Sequence, residues 1–309
     1  MADPIDVLLA AARAHGLQLA PERAQMDESG ADFTVAHAVD GDGVPWIVRV
    51  PRRPDVVERA GIERRALEMV RTRIPVAVPR WEIFSPEVIA YRRLGGNPAA
   101  LVDPAAGGYV WRFDEANPPA AFLDSLADVL AALHRIEPDA AVEAGLPVRT
   151  PSDVRQEHAT RMDRARDVLQ IPDSVWRRWQ TWLADDDCWP GFSTLIHGDL
   201  HPPHILVDDE HRVTGLLDWT EARIADPAAD FAVQYATLGR KALDALVERY
   251  GRAGGRVWTR MADHVVETWS AYPAVVAEFA LLTGDEGPRQ LGQFLVDANA
   301  REIAGGAGL

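Results

Sequence analysis

The run His197-Gly198-Asp199-Leu200-His201-Pro202-Pro203-His204 holds the residues in this chain best suited to chemistry, together with Asp218 at the end of the apolar run Val213–Leu217. A loop carboxylate can accept a hydroxyl proton and aim that oxygen at a γ-phosphate. A strand-end carboxylate can hold the divalent cation that bridges the phosphates. A ligand position five residues after Asp199, at His204, completes a set for phosphoryl transfer. The stretch from Asp199 to Asp218 is long enough for a short β-hairpin that returns the second aspartate beside the first.

The same residues offer a second chemistry. His197, His201 and His204 offer three imidazoles, a number that catalytic zinc sites use. Pro202-Pro203 breaks any regular helix that would align 201 with 204, which counts against zinc. Mg²⁺ prefers oxygen ligands, so an imidazole at 204 departs from the usual kinase set, although one nitrogen can complete an octahedron of carboxylate, phosphate and water oxygens. Asp218 follows a buried-type strand, and a bare carboxylate there needs a strong partner, which a cation supplies. His197 reads as a packed residue that holds the loop, with Asp199 as the residue facing an acceptor hydroxyl.

These residues need a scaffold. Ile5 to His15 has helical spacing of apolar residues. Asp32–Ala38 and Trp46–Val50 are strand-like around the turn Val39-Asp40-Gly41-Asp42-Gly43. Val56–Arg71 reads as a helix and Val88–Leu94 as a strand, before Gly95-Gly96-Asn97-Pro98 marks a hinge. The pattern then turns helical: Ala120–Arg135, Ser174–Leu183, Asp230–Tyr250, Val257–Leu282 and Arg289–Glu302. Trp176, Trp179 and Trp182 share one face of the second of these and read as packing rather than a ligand platform.

The double motif resembles that of the aminoglycoside phosphotransferase-like kinases. The wording of His197–His204 and Val213–Ala222 is most similar to their macrolide 2′-phosphotransferase branch. Met26–Gly30, Trp46–Arg53, Gly254–Trp258 and Ala271-Tyr272-Pro273 match in the same order. The resemblance implies an α+β, two-lobed protein-kinase-like fold. Residues 1–95 would form a β-rich nucleotide-binding lobe, and 96–309 a helical lobe carrying the catalytic loop, metal site and acceptor pocket. It implies Mg²⁺ at His204 and Asp218, GTP as phosphate donor with ATP as the alternative, and a macrolide as the other small-molecule partner. Asp230 corresponds to the family's loop-bracing aspartate. Arg49, on Trp46-Ile47-Val48-Arg49-Val50, stands in the position of the V-A-I-K lysine with Glu63 as its partner. Ser29 and Gly30 would cover phosphates through main-chain amides, and Ala90, Tyr91 and Arg92 would offer backbone groups to the purine. Tyr272 and Phe279 are candidates for the acceptor pocket. The rivals are an aminoglycoside or metabolite kinase and a kinase-like binding module without activity.

Composition sets the remaining bounds. The chain has 309 residues, 47% of them hydrophobic and 26% charged, with a formal net charge of −15. That balance argues against nucleic acid as a partner, which needs a basic footprint. It favours a cationic small molecule at long range. No run reads as a membrane span, the N-terminus lacks a signal pattern, and the only cysteine is Cys188, so a cytoplasmic enzyme without disulfides is the expectation.

Overall fold

A computed structural model describes residues 3–27, 32–103 and 108–306. The chain begins with α1 (Pro4–Ala14), β1 (Gln25–Asp27), β2 (Phe33–Val39), β3 (Pro45–Pro51), α2 (Pro54–Val70), β4 (Trp81–Phe84) and β5 (Ile89–Arg92). The five strands form one antiparallel sheet in the order β1-β2-β3-β5-β4. Alternation along β3 sorts its side chains to two faces, as the period of two in a strand requires. Trp46 and Val48 pack with Leu8 and Ala12 of α1. Ile47 packs on the other face with Val56 and Ala60 of α2. The hairpin turn at 40–43 is held by Asp40, whose carboxylate accepts from the Asp42 and Val44 amides and the Trp46 indole.

The second half opens with β6 (Asn97–Pro98), the hairpin β7 (Ala100–Asp103) and β8 (Gly108–Trp111), then α3 (Ala120–His134), α4 (Pro138–Glu143), α5 (Pro151–Ala165) and α6 (Asp173–Ala184). Next come β9 (Thr194–Ile196), a single 3₁₀ turn at Pro202–His204, β10 (Ile205–Val207), β11 (Val213–Leu216) and β12 (Arg223–Ala225). The chain finishes with α7 (Ala229–Arg252), α8 (Met261–Ser270), α9 (Tyr272–Thr283) and α10 (Glu286–Gly306). The segment predicted as a hinge is itself paired: Pro98 sits opposite Leu206 and Asn97 opposite Val207. Gly96 (φ +90°) passes so close to this hairpin that a Cβ would lie 2.7 Å from the Thr214 hydroxyl.

One large core joins α3, β10, β11 and α7 through Phe122, Leu130, Leu133, Trp219, Phe231 and Tyr250. Another gathers Met162, Trp179, Trp182 and Trp189 under α9 and α10. Trp179 and Trp182 are therefore packing residues, as their spacing indicated. Each such ring withdraws enough apolar surface from water to contribute roughly 2–3 kcal/mol or more.

Two expectations are corrected here. Val257–Leu282 is two helices, not one, because the chain turns at Ala271 and Pro273 sits in the first turn of α9. Proline has no N–H to give the preceding turn, and its ring clashes with it. The same stretch, Met261–Thr283, is long and apolar enough to cross a membrane by length and composition alone. It folds instead as this broken pair, with α8 against α7 and α9 against α5 and α10.

Candidate active site

Asp199, His204 and Asp218 converge, with one ligand atom from each lying within 4.8 Å of the others. The hairpin anticipated from the spacing brings them together: Ile205 pairs with Leu216 and Leu206 with Gly215. Pro202 and Pro203 limit the intervening segment to one 3₁₀ turn. His201 and His197 are not part of the cluster, which removes the geometric basis for a three-histidine zinc site.

The loop is held from below by Asp230. Its Oδ2 accepts from the His197 amide and its Oδ1 from the Gly198 amide, both at 2.8 Å. His134 Nε2 donates to Oδ2 at 3.1 Å. Burial alone would raise the Asp230 pKa; the His134 hydrogen bond and the neighbouring donors outweigh it and hold the carboxylate below its ordinary value. Gly198 has φ +84°, and a Cβ there would lie 2.5 Å from the Glu221 carbonyl oxygen, so only glycine fits. His197 is fully buried against Trp219, with ring centroids 4.7 Å apart. Its Nε2 donates to Leu217 O at 2.9 Å and its Nδ1 accepts from the Asp199 amide at 3.3 Å. Burial lowers its pKa, so it serves as an uncharged spacer between the loop and the Asp218 strand. Gln234 of α7 adds a donor to Leu200 O.

Burial would also raise Asp199, but the His201 hydrogen bond and the three nearby histidines hold it well below the usual carboxylate range. It is an ionised acceptor at neutral pH. His204 Nδ1 donates to the Asp199 carbonyl oxygen at 2.9 Å. That assigns the ring proton to Nδ1 and leaves the Nε2 lone pair facing Asp218 Oδ2, 3.9 Å away. Asp218 has φ +59°, a left-handed conformation uncommon for a residue with a Cβ. Backbone strain of this kind clusters at functional sites. Thr220 Oγ1 donates to Asp218 Oδ1 at 2.7 Å. One lone-pair nitrogen and carboxylate oxygens with a free approach suit a hard divalent cation, so this donor set fits Mg²⁺.

Arg49 and Glu63, the pair that the resemblance implied, form a buried ion pair 3.0 Å apart. The guanidinium lies 3.8 Å over the Phe33 ring. Burial would lower the Arg49 pKa; Glu63, Tyr91 and Asp218 more than reverse that and push it up. A cleft of about 860 Å³ runs from Arg49 and Tyr91 past Asp199, His204 and Asp218 to Tyr272 and Phe279. Tyr272 stacks on Trp269 at 4.8 Å, whereas Phe279 is 47% exposed. Val275, Val276 and Leu291 extend this apolar wall.

Three purine-side residues fare differently. Tyr91 borders the cleft, with Arg93 and Leu94 beyond it. Ala90 does not: it is fully buried and paired on both sides, with Val48 and Ile83. Arg92 is exposed and bound to Glu82. β5 lies between β3 and β4 in its sheet, so the backbone of Ala90 is engaged by both neighbouring strands. Ser29 and Gly30 lie outside the described residues. Residues the sequence reading did not single out are Phe33, Thr220 and Gln234, along with Tyr109, whose hydroxyl meets His201 Nδ1. Tyr109 is 92 positions from its partner, so no local pattern could have revealed it.

This geometry is that of a kinase-like phosphotransferase: a strand-borne cation braced by a helical glutamate, facing a loop aspartate and the His204–Asp218 pair across one cleft. The sequence pattern of APH, the phosphotransferase enzyme family, matches residues 24–264, and the chain belongs to that family. It is 47% identical over 282 residues to the uncharacterized protein YcbJ of Bacillus subtilis (strain 168), covering 91% of this chain and 92% of that one. Among solved structures it is similar to the macrolide 2′-phosphotransferase MphH from Brachybacterium faecium. That likeness is 40% identical, TM-score 0.85, over 94% of this chain and 97% of that one. A macrolide 2′-phosphotransferase type I is 38% identical, with TM-score 0.87, over 94% of this chain and 96% of the other. The two-lobed kinase-like α+β fold expected from the sequence is the observed one.

Proposed function

We propose that this phosphotransferase moves the γ-phosphoryl group of GTP, or of ATP, to the 2′-hydroxyl of a macrolide's amino sugar. The observation that carries this reading is the single cleft with two unlike ends. One end presents the Arg49–Glu63 pair and the His204–Asp218 donor set. The other is the apolar wall of Tyr272, Val275, Val276 and Phe279. In this reading residues 1–95 bind the nucleotide and 96–309 the acceptor. The likeness to two macrolide phosphotransferases along nearly the whole chain supports the acceptor class.

Asp199 would accept a hydrogen bond from the acceptor hydroxyl and aim its oxygen at the γ-phosphorus. An ionised carboxylate held at low pKa is a poor reservoir for a full proton. A loose transition state needs orientation more than early deprotonation, and that is what this residue supplies. Arg49 would bind phosphate oxygens while Glu63 fixes its direction. Mg²⁺ held by His204 and Asp218 would neutralise charge developing on the phosphates. Tyr91, Arg93 and Leu94 would border the purine.

Against an aminoglycoside, two of the other acids along the cleft are matched by arginines: Asp32 pairs with Arg53 and Arg59, and Glu221 with Arg59 and Arg223, while Asp27 lies 3.6 Å from His37. Burying each unpaired ammonium against the apolar wall would cost several kcal/mol, whereas the large apolar face of a macrolide gains from the same burial. The test is the ratio of specificity constants for erythromycin and kanamycin, each with GTP and with ATP. Erythromycin turnover with kanamycin ignored is expected. A preference for kanamycin would discard the macrolide assignment and leave the family standing. Asp199→Asn should lower kcat by orders of magnitude with nucleotide affinity preserved.

A further inference from the structure

Asp199 does not stand alone behind the cleft. His201 Nε2 lies 3.1 Å from Asp199 Oδ1, and the Tyr109 hydroxyl is hydrogen bonded to His201 Nδ1. Tyr109 belongs to β8, on the hairpin whose β7 strand packs against the 3₁₀ turn Pro202–His204. The Tyr272 ring centroid lies 6.5 Å from that of the imidazole. Asp199 lines the cleft and His201 does not.

The direction of each hydrogen bond follows. Burial, aided by the charge of Asp199, pushes the Tyr109 phenol up to about 12, so it remains a hydroxyl donor. With Nδ1 accepting from Tyr109, the ring proton belongs on Nε2, where it donates to Asp199 Oδ1. The opposite tautomer would set a lone pair against a carboxylate oxygen. The other carboxylate oxygen, Oδ2, is 3.6 Å from His204 Nδ1, and that nitrogen already gives its proton to the Asp199 carbonyl. Oδ1 is thus held by His201, while the nearest histidine nitrogen to Oδ2 has its proton committed elsewhere.

We infer that His201 is a positioning residue for phosphoryl transfer, its tautomer set by Tyr109, which fixes the rotation of the Asp199 carboxylate so that Oδ2 meets the acceptor hydroxyl. The inference rests on the reading of Asp199 as the acceptor-facing residue. Without the pin, the carboxylate can rotate about its own bonds, and misplacing a reacting group by about 1 Å can cost as much as 100-fold in rate.

The experiment compares His201→Ala, His201→Gln and Tyr109→Phe with wild type. It measures erythromycin phosphorylation and acceptor-free GTP hydrolysis, because Asp199 would aim either nucleophile. His201→Ala should lower kcat roughly 10- to 100-fold in both reactions while the Kd for GTP and the melting temperature hold. His201→Gln, whose amide nitrogen can replace Nε2 as donor, should restore most of that loss. Tyr109→Phe should fall between, and adding it to His201→Ala should cost nothing further. Wild-type kcat in His201→Ala overturns the inference. So does a His201→Gln variant as slow as His201→Ala with a matching loss of folded protein by circular dichroism, since that marks a structural residue. Asp199→Asn run alongside separates the two layers. If it is inactive while His201→Ala is normal, only the inference falls; if it retains turnover, the reading of Asp199 itself falls.

Discussion

Replacing Asp230 by asparagine tests how the catalytic loop is held. The carboxylate accepts from the His197 amide on Oδ2 and the Gly198 amide on Oδ1, each at 2.8 Å, and from His134 Nε2 on Oδ2. An asparagine keeps one acceptor oxygen and turns the other into an NH₂ donor. Whichever way the amide is placed, one of the two backbone N–H groups meets a donor and loses its partner. Asp230 is only 1% exposed and His197 is fully buried, so water cannot take over. An orphaned buried amide costs about 1–3 kcal/mol, and the surviving bonds lose their charge assistance, which is worth on the order of 1 kcal/mol each. The expected total is about 3–5 kcal/mol, a large part of the roughly 5–15 kcal/mol that holds a folded domain together. Melting by differential scanning calorimetry should drop on the order of 10 °C. At a temperature where the variant is still folded, kcat should fall further than the folded fraction, because His197–Asp199 has lost its anchor. A variant within about 1 kcal/mol of wild type and with normal kcat would show that Asp230 is not the brace its geometry indicates.

The metal reading predicts an asymmetry. Asp218→Ala should nearly abolish transfer by removing a charged ligand, and His204→Ala should be milder, since water can replace one neutral nitrogen; full activity after chelation with EDTA would sink it. Glu63→Gln should raise the KM for nucleotide about tenfold, because Arg49 loses the charge that aims it; an unchanged KM with a lowered melting point would mark the pair as structural only. Burial drives the His158 imidazole, ringed by Trp182 and Trp189, down to about 3. Its Nδ1 is buried without a partner. The folded value lies below the unfolded one of about 6.5, so its contribution is complete above that pH and is lost as pH falls toward 3. The depressed carboxylates Asp226 and Asp230 add their loss only below about pH 4. Urea midpoints at pH 7.5 and pH 5 should therefore differ, and His158→Phe, which keeps a ring against both tryptophans, should narrow the gap; an unchanged gap would remove His158 from the account.

The sequence by itself determined the chemistry-bearing loop. His197, Gly198, Asp199 and His204 are close in sequence, and their roles depend on local constraints: a glycine at positive φ, two prolines that permit one turn, and a hairpin of known reach to Asp218. The tryptophan stripe of α6 was legible for a similar reason, since helical periodicity reports which side is buried. The pairing of Arg49 with Glu63 came from the resemblance to the kinase V-A-I-K strand rather than from any local pattern. Tertiary structure decided what depends on distant segments. Tyr109 reaches His201, and Gln234 reaches Leu200, only because β8 and α7 close over the loop. Ala90 fell to the sheet interior because β4 folds back along β5, a pairing no periodicity in β5 announces. The long apolar run after Val257 became two helices because Pro273 ends one hydrogen-bond ladder and starts another, and the packing of α8 on α7 and of α9 on α5 uses both directions. Local residue chemistry proposes a function group by group; the enclosure that orients those groups is set by long-range burial, which the order of residues encodes only through the completed fold.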